Sequence, residues 1–244
     1  MIEILLAIFF ITVLLLFLSS GIWVAISMIG VSSIGMILFT SRPVGDAMAT
    51  TIWGASSSWT LTALPLFVWM GEILFRTKLS ENLFEGLAPW LQKLPGGLIH
   101  VNVVGCALFA AISGSSAATV ATVGKMSIPE LRKRKYPEKI LLGSLAGSGT
   151  LGLLIPPSII LIIYGVTVQE SIAKLFIAGI IPGIMIALIF MGYVIIWSLL
   201  NKNKMPSTEE NYSFLNKLSK SKQLIPVILL ILGVIGSIYT GIAT

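Results

Sequence analysis

Two groups of serine, glycine and proline interrupt an otherwise apolar stretch between residues 98 and 163. The first is Ser113-Gly114-Ser115-Ser116, and the second joins Gly147-Ser148-Gly149-Thr150-Leu151-Gly152 to Ile155-Pro156-Pro157-Ser158. Serine hydroxyls and unpaired backbone carbonyls are hard oxygen ligands, which suit a cation such as Na⁺. Because neither group contains an ionisable side chain, the pattern favours a weakly bound, exchangeable monovalent ion.

The two adjacent prolines predict where free carbonyls should lie. Proline has no N–H, so Pro156 cannot donate to the carbonyl of Gly152 and Pro157 cannot donate to that of Leu153. A cation held between these two carbonyls and the Ser113–Ser116 turn would satisfy both groups.

The length of the apolar runs predicts how the first group is placed. Leu98–Ile112 has 15 residues, and at about 1.5 Å per residue it reaches about 22 Å, short of the roughly 30 Å hydrocarbon core. A second short run, Ala117–Met126, follows the turn at Gly114. Two half-length helices around a polar tip predict a re-entrant helical hairpin, whose irregular backbone must be buried or line a wet cavity.

A purely structural interpretation stays open at this point. The prolines can form a kink that serines or water satisfy, and a Ser/Gly turn can simply pack closely against a neighbouring helix. Two such breaks within about forty residues favour the alternative, because discontinuous helices mark the binding sites of transporters.

Composition indicates the class of protein. Of the 244 residues, 56% are hydrophobic and 11% are charged, against about 25% charged in soluble domains, so we expect an all-α polytopic membrane protein. A single cysteine, Cys106, and a single histidine, His100, exclude an intrachain disulfide and a Cys/His metal site. The sequence has no nucleophile–base arrangement, P-loop or dinucleotide fingerprint, which argues against an enzyme or an ATPase.

The predicted elements fall into three parts. Residues 1–97 hold scaffold-type spans and interfacial helices, residues 98–168 the hairpin and a broken helix of a transport domain, and residues 169–244 further spans with a cytoplasmic loop at 201–223. The predicted spans are Ile4–Leu18, Ile22–Phe39, Leu61–Phe75, Ile140–Val168 with its proline break, Phe176–Leu200 and Leu224–Ile242. The predicted surface helices are Pro43–Ser58 and Glu81–Lys93.

The basic residues predict an orientation, and the net charge of +6 is explained by it. Placing the run Arg132-Lys133-Arg134-Lys135 in the cytoplasm puts thirteen of the sixteen basic residues there, all but Arg42, Lys125 and Lys174. This positive-inside bias predicts a periplasmic N-terminus and a hairpin that enters and leaves from the cytoplasm.

Other polar residues have simpler interpretations. Asn102 is expected to hydrogen-bond to a neighbouring helix, and His100 to lie at the membrane interface. Glu72 and Arg76, four residues apart, can form an ion pair on one helix face. Lys125 is expected to extend to the inner surface.

The motifs together resemble a known family, the large membrane subunit of the tripartite ATP-independent periplasmic (TRAP) transporters. The resemblance covers essentially the whole chain. It is carried by Ala110-Ala111-Ile112-Ser113-Gly114-Ser115-Ser116-Ala117-Ala118-Thr119, Ile128-Pro129-Glu130-Leu131, Leu153-Leu154-Ile155-Pro156-Pro157-Ser158 with Tyr164-Gly165-Val166, Ala178-Gly179-Ile180-Ile181-Pro182-Gly183, Pro65-Leu66-Phe67 with Gly71-Glu72, and Gly96-Gly97-Leu98 with His100-Val101-Asn102.

The resemblance implies an elevator-type secondary transporter of the bacterial inner membrane, driven by a Na⁺ gradient and built as two inverted repeats. It implies two partners, a small membrane subunit and a periplasmic substrate-binding protein, an organic acid as substrate, and Na⁺ as coupling ion without any other cofactor. The implied Na⁺ site consists of Ser113, Ser116, Gly152, Ile155 and Pro156. At the same breaks, Ser115, Pro157 and Ser158 are candidates for contact with the substrate.

One departure limits what the resemblance implies. Members of the family are about twice this length, so we expect a fragment, a truncated reading frame or one half of a split subunit that carries the first repeat alone. The substrate stays open between a dicarboxylate and a sialic-acid-like molecule, the latter hinted at by Gly143-Ser144-Leu145-Ala146-Gly147. The alternatives are an ion-coupled organic-anion transporter that needs no binding protein, and a channel or non-transporting scaffold.

Overall fold

The regular elements of the chain are helices throughout the described residues, which are 2–57, 59–206 and 212–241 of this computed structural model. Short 3₁₀ segments at Trp59–Thr62, Lys202–Lys204 and Lys222–Leu224 connect some of them. The α-helices are α1 (Ile2–Ser19), α2 (Val24–Phe39), α3 (Val44–Ser56), α4 (Ala63–Phe75), α5 (Leu79–Leu91), α6 (Ile99–Ser113), α7 (Ser116–Lys133), α8 (Glu138–Gly149), α9 (Leu151–Leu154), α10 (Ile159–Val168), α11 (Ile172–Leu200), α12 (Phe214–Ser221) and α13 (Ile225–Tyr239).

The chain divides into two compact units, Met1–Trp59 and Thr60–Thr244. In the first unit α1 and α2 form the predicted hairpin. A methyl group built on Gly30 would lie 2.6 Å from Phe17 Cε2, and one on Gly35 would lie 2.7 Å from Phe10 Cε1. The later residue of α2, Gly35, therefore lies beside the earlier residue of α1, Phe10, so the two helices run antiparallel.

The helix α3 agrees with the predicted surface helix. Its described side chains include none that is buried, and Trp53 is 75% exposed, as expected for an indole at the headgroup level. Ser58, the last residue of the prediction, lies outside the described residues.

The second unit is organised around α6, α7 and α8. A methyl group on Gly105 would lie 3.6 Å from Val123 Cγ1. These two residues are equally far along the sequence from Gly114, so α6 and α7 fold back on each other as an antiparallel hairpin. By contrast α8 runs parallel to α6, because it is antiparallel to α7: a methyl group on Gly124 would lie 2.8 Å from Leu145 Cδ2, and one on Gly149 would lie 3.8 Å from Ser116 O.

A buried apolar core joins these helices to α5. Leu83 of α5 lies in the same cluster as Phe109 of α6 and Leu145 of α8. The opposite face of α5 carries the exposed Glu81 and Glu85. The helix predicted at Glu81–Lys93 therefore forms with slightly shifted bounds, and burial of its apolar face against the protein fixes its position.

Length and composition identify three segments that could cross a membrane within the described residues. These are Glu138–Val168, Ile172–Leu200 and Phe214–Tyr239. Shorter apolar helices cover Glu3–Ser19, Val24–Phe39, Ala63–Leu74 and Ile99–Ser113. The predicted loop at 201–223 is not irregular throughout, since α12 forms within it; residues 207–211, and residue 242 of the last predicted span, lie outside the described residues.

Candidate functional site

The first break is a two-residue turn at the tip of the α6–α7 hairpin. The backbone of Gly114 has φ +60° and its N–H donates to the carbonyl of Ala110 at 3.0 Å, which ends α6 in a left-handed cap. The hydroxyl of Ser115 then accepts from the N–H of Ala118 at 3.4 Å and caps α7. The structure thus confirms a Ser/Gly tip between two helices, although α7 continues beyond the predicted Met126 to Lys133.

The second break separates α9 from α10. The backbone leaves the helix at Ile155, which is extended with φ −74° and ψ 122°. A cis Pro156–Pro157 peptide bond follows, and Ser158 precedes the first turn of α10. A smaller interruption lies upstream, where Thr150 separates α8 from α9 and its hydroxyl donates to the carbonyl of Gly147 at 2.6 Å. The break predicted from the prolines is confirmed.

Only one of the two predicted free carbonyls is free in the structure. The hydroxyl of Ser158 donates to the carbonyl of Leu153 at 2.6 Å and so replaces the N–H that Pro157 lacks. The prediction for Leu153 was therefore wrong. The carbonyl of Gly152 receives no hydrogen bond from the described residues, as the missing N–H of Pro156 predicts.

The two breaks are in direct contact through their backbones. The N–H of Ile159 donates to the carbonyl of Gly114 at 3.2 Å. A methyl group on Gly114 would lie 2.7 Å from the carbonyl oxygen of Pro157, and one on Gly152 would lie 2.8 Å from Ser116 N and 2.9 Å from Ser115 O. Only glycine allows approaches of this kind, so these two glycines let the hairpin tip meet the broken helix.

All eight predicted site residues therefore lie on two segments that touch. Ser113, Gly152, Pro156, Pro157 and Ser158 are buried, whereas Ser115, Ser116 and Ile155 are half-buried. The side-chain oxygen of Ser116 is itself buried and has no hydrogen-bond partner among the described residues. A buried oxygen without a partner is costly unless something else satisfies it.

The sequence interpretation missed Thr119. Its Oγ1 lies 2.9 Å from Ser113 Oγ, and the two residues are 0% and 1% exposed. Thr119 follows Ser116 by three residues, which places both on one side of α7. That spacing is the signal that could have identified it.

Four helix ends converge at this contact. The helix α6 and the α8–α9 stack end here with outward-facing carbonyls, while α7 and α10 begin here with outward-facing N–H groups. Carbonyl ends attract cations and N–H ends attract anions. The contact therefore brings carbonyl ends and N–H ends of helices together, and neither segment carries an ionisable side chain.

Four other polar residues singled out from the sequence, Glu72, Arg76, His100 and Asn102, have partners within the protein. Asn102 Nδ2 donates to the carbonyl of Leu141 at 3.2 Å as well as to Ser144, which confirms the expected bond to a neighbouring helix. Glu72 and Arg76 form the expected exposed ion pair at 2.9 Å. His100 is completely buried within the protein, with Nε2 2.8 Å from the carbonyl oxygen of Pro95.

Comparison with known proteins adds the following similarities. Residues 11–244 match the family described as "Tripartite ATP-independent periplasmic transporter, DctM component". The C4-dicarboxylate TRAP transporter large permease protein of Pseudomonas aeruginosa is 34% identical over 216 residues, which cover 88% of this chain and 50% of that protein.

Other relatives are named for other substrates. The sialic acid TRAP transporter large permease protein of Vibrio cholerae is 36% identical over 178 residues, covering 72% of this chain and 42% of its own length. The ectoine/5-hydroxyectoine TRAP transporter large permease protein of Ruegeria pomeroyi is 34% identical over 187 residues, which cover 75% of this chain and 42% of that protein. The chain spans about half the length of the relatives it matches.

Proposed function

The chain belongs to the family of TRAP transporter large permease subunits, and from this we propose that it takes part in Na⁺-coupled import of an organic acid, either a dicarboxylate or a sialic-acid-like molecule. A periplasmic binding protein delivers the acid, and a small membrane subunit completes the complex in the bacterial inner membrane. The chain contributes one inverted-repeat half of an elevator-type transporter, with its N-terminus in the periplasm and α6–α7 as a re-entrant hairpin.

The contact between the hairpin tip and the broken helix is the observation that carries this proposal. Na⁺ is held between the oxygens of Ser113 and Ser116 on the tip and the backbone of Gly152, Ile155 and Pro156 on the broken helix. The Gly152 carbonyl and the Ser116 hydroxyl receive no hydrogen bond from the described residues, so both can supply an oxygen ligand. Hard oxygen ligands without a fixed negative charge suit a monovalent ion that must also leave.

Thr119 has a positioning role in this site. A hydroxyl that binds a cation turns its lone pairs towards the ion and must donate its proton elsewhere. The Oγ1 of Thr119, 2.9 Å from Ser113 Oγ, is the buried acceptor within reach. The alternative acceptor, the carbonyl of Ser115, is 3.4 Å away and gives a weaker bond. Thr119 therefore orients the Ser113 hydroxyl so that its oxygen faces the contact.

The carboxylate of the substrate lies beside the N–H ends of α7 and α10. Ser115 and Pro157 flank this position on the two segments. The hydroxyl of Ser158 already bonds to Leu153, so Ser158 contributes through its backbone. Ion and substrate then share one contact, so binding of each favours binding of the other.

Uptake into proteoliposomes tests the proposal. The chain is reconstituted together with a chain that carries the second repeat and with the small subunit, and the binding protein is added outside with radiolabelled succinate or N-acetylneuraminate. We expect accumulation with an inward Na⁺ gradient and none when K⁺ replaces Na⁺. Uptake that stays unchanged when K⁺ replaces Na⁺ would refute the coupling. Na⁺-dependent uptake without the binding protein would favour a transporter that needs no binding protein.

Serine variants test the ion site separately from the coupling. The double change Ser113→Val and Ser116→Val should raise the Na⁺ concentration needed for half-maximal uptake. Ser237→Val is the matched control, because the Ser237 hydroxyl is half-buried and donates to Val234 of its own helix at 2.8 Å. Na⁺-dependent uptake that the double change leaves unaltered would refute the mapped site but not the family function.

A further inference from the structure

The short helix α12 exposes an apolar face. Phe214, Leu215 and Leu218 are 67%, 74% and 53% exposed, and their spacing places them on one side of the helix. Exposed side chains of this size on one face indicate contact with an apolar phase or partner.

The helix is nevertheless held firmly in place by α5. The indole N–H of Trp90 donates to the hydroxyl of Ser221 at 2.8 Å, and its ring packs edge-on against Phe214 with the ring centroids 6.5 Å apart. Beyond the helix, Gln223 Nε2 donates to Glu85 Oε2 at 2.9 Å. The apolar face is therefore a fixed surface of the fold.

The rest of α12 and its C-terminal extension is basic. Lys217, Lys220 and Lys222 lie between residues 212 and 224, a stretch without an acidic residue. The Nζ of Lys217 lies 5.4 Å from the centroid of the Trp90 ring, and that of Lys220 lies 4.7 Å from the centroid of the Tyr212 ring. Aromatic rings position an ammonium group without neutralising its charge, so both lysines remain able to bind an anion.

The neighbouring segments identify the apolar phase. The helix α11 before this region is long and apolar enough to cross a membrane, and so is the segment Phe214–Tyr239, which begins with α12 and ends with α13. The lysines of this segment lie in α12 or directly after it and none lies in α13, so we expect α12 to form the end that meets the membrane surface. Leucines on one side and lysines on the other are the pattern of a helix that lies in the headgroup layer.

We propose that α12 is an interfacial anchor that binds acidic phospholipid. Leu215 and Leu218 enter the acyl-chain boundary, and Lys217 and Lys220 bind the lipid phosphate, steadied by Trp90 and Tyr212. Charge complementarity favours acidic lipid over zwitterionic lipid, because each lysine near the surface adds to the attraction.

Spin labels report the depth of this helix in nanodiscs. One label is placed at Leu215→Cys and another at the adjacent, exposed Asn216→Cys; the chain's own Cys106 is fully buried. In nanodiscs of phosphatidylcholine with one-third phosphatidylglycerol, we expect the label at position 215 to collide more with oxygen and the label at 216 more with a water-soluble nickel chelate. Equal aqueous exposure of both labels, or protection of both from oxygen and nickel, would overturn the proposal.

Charge variants test the lipid specificity. When all lysines are intact, replacing phosphatidylglycerol by phosphatidylcholine should move the label at position 215 closer to water. The label should then collide less with oxygen and more with the nickel chelate. The double change Lys217→Gln and Lys220→Gln should remove that dependence, whereas Lys202→Gln with Lys204→Gln, an equal loss of charge on exposed residues outside α12, should preserve it. Equal effects of the two double changes would show a general charge effect and refute the site.

Discussion

Replacing Thr119 by valine is the sharpest test of the proposed ion site. Valine has nearly the same shape as threonine but cannot accept the proton of Ser113, whose Oγ lies 2.9 Å from Thr119 Oγ1. Without bound Na⁺ the Ser113 oxygen need not face an ion, so its hydroxyl is free to rotate. With Na⁺ bound its proton has only the Ser115 carbonyl at 3.4 Å, so the change penalises the ion-bound state.

The size of this effect follows from the cost of an unsatisfied buried hydroxyl. Leaving a buried donor without its partner costs about 1–3 kcal/mol. Since about 1.4 kcal/mol corresponds to a tenfold change in a binding constant, Thr119→Val should weaken Na⁺ binding by about 5- to 150-fold. Thr119→Ser keeps the hydroxyl and should restore most of the affinity.

Thermal unfolding in a Na⁺ titration, with choline keeping the ionic strength constant, measures this affinity because a ligand stabilises the state that binds it. Thr122→Val is the matched control, since Thr122 is 2% exposed on the same helix and its hydroxyl has no hydrogen-bond partner among the described residues. An unchanged Na⁺ midpoint in Thr119→Val, or an equal loss in Thr122→Val, would refute the positioning role. A wild-type protein without any Na⁺-dependent stabilisation would refute the ion site itself.

Further predictions concern the backbone contact. Gly152→Ala should lower both the melting temperature and the Na⁺-dependent stabilisation, because its methyl group would lie 2.8 Å from backbone atoms of Ser115 and Ser116. Gly143→Ala, with nothing within 4 Å, should raise helix stability by up to about 1 kcal/mol, and similar melting for both variants would contradict the proposed contact. Ser158→Ala should lower the free energy of unfolding by about 1–3 kcal/mol, since Leu153 O would lose its donor; an unchanged denaturant midpoint would show that this bond is dispensable.

The positions of the breaks could be predicted because they follow from local chemistry. Proline removes a helical donor wherever it stands, and the run Leu98–Ile112 is followed directly by a Ser/Gly turn that a continuous span would not contain. Hydrophobic spacing likewise predicted α5, although burial of its apolar face against α6 depends on the tertiary fold.

What escaped prediction depends on side-chain direction and on contacts between helices. The donation from Ser158 to Leu153 depends on a rotamer that the sequence does not specify. The pairing of Ser113 with Thr119 requires the hairpin to close with the register that places Gly105 opposite Val123. The basic residues at 201–223 indicated a polar loop. Part of that segment is amphipathic, however, and it folds as the helix α12.

The convergence of four helix ends has a consequence for the charge of the site. Each helix end carries roughly half an elementary charge, negative at a carbonyl end and positive at an N–H end, so two of each sum to about zero. The residues of the contact, 113–116 and 152–158, include no ionisable side chain. On our proposal, one Na⁺ and one carboxylate group of the substrate would cancel each other's charge at this contact, and an elevator movement of the pair would avoid most of the electrostatic penalty that a lone ion would meet.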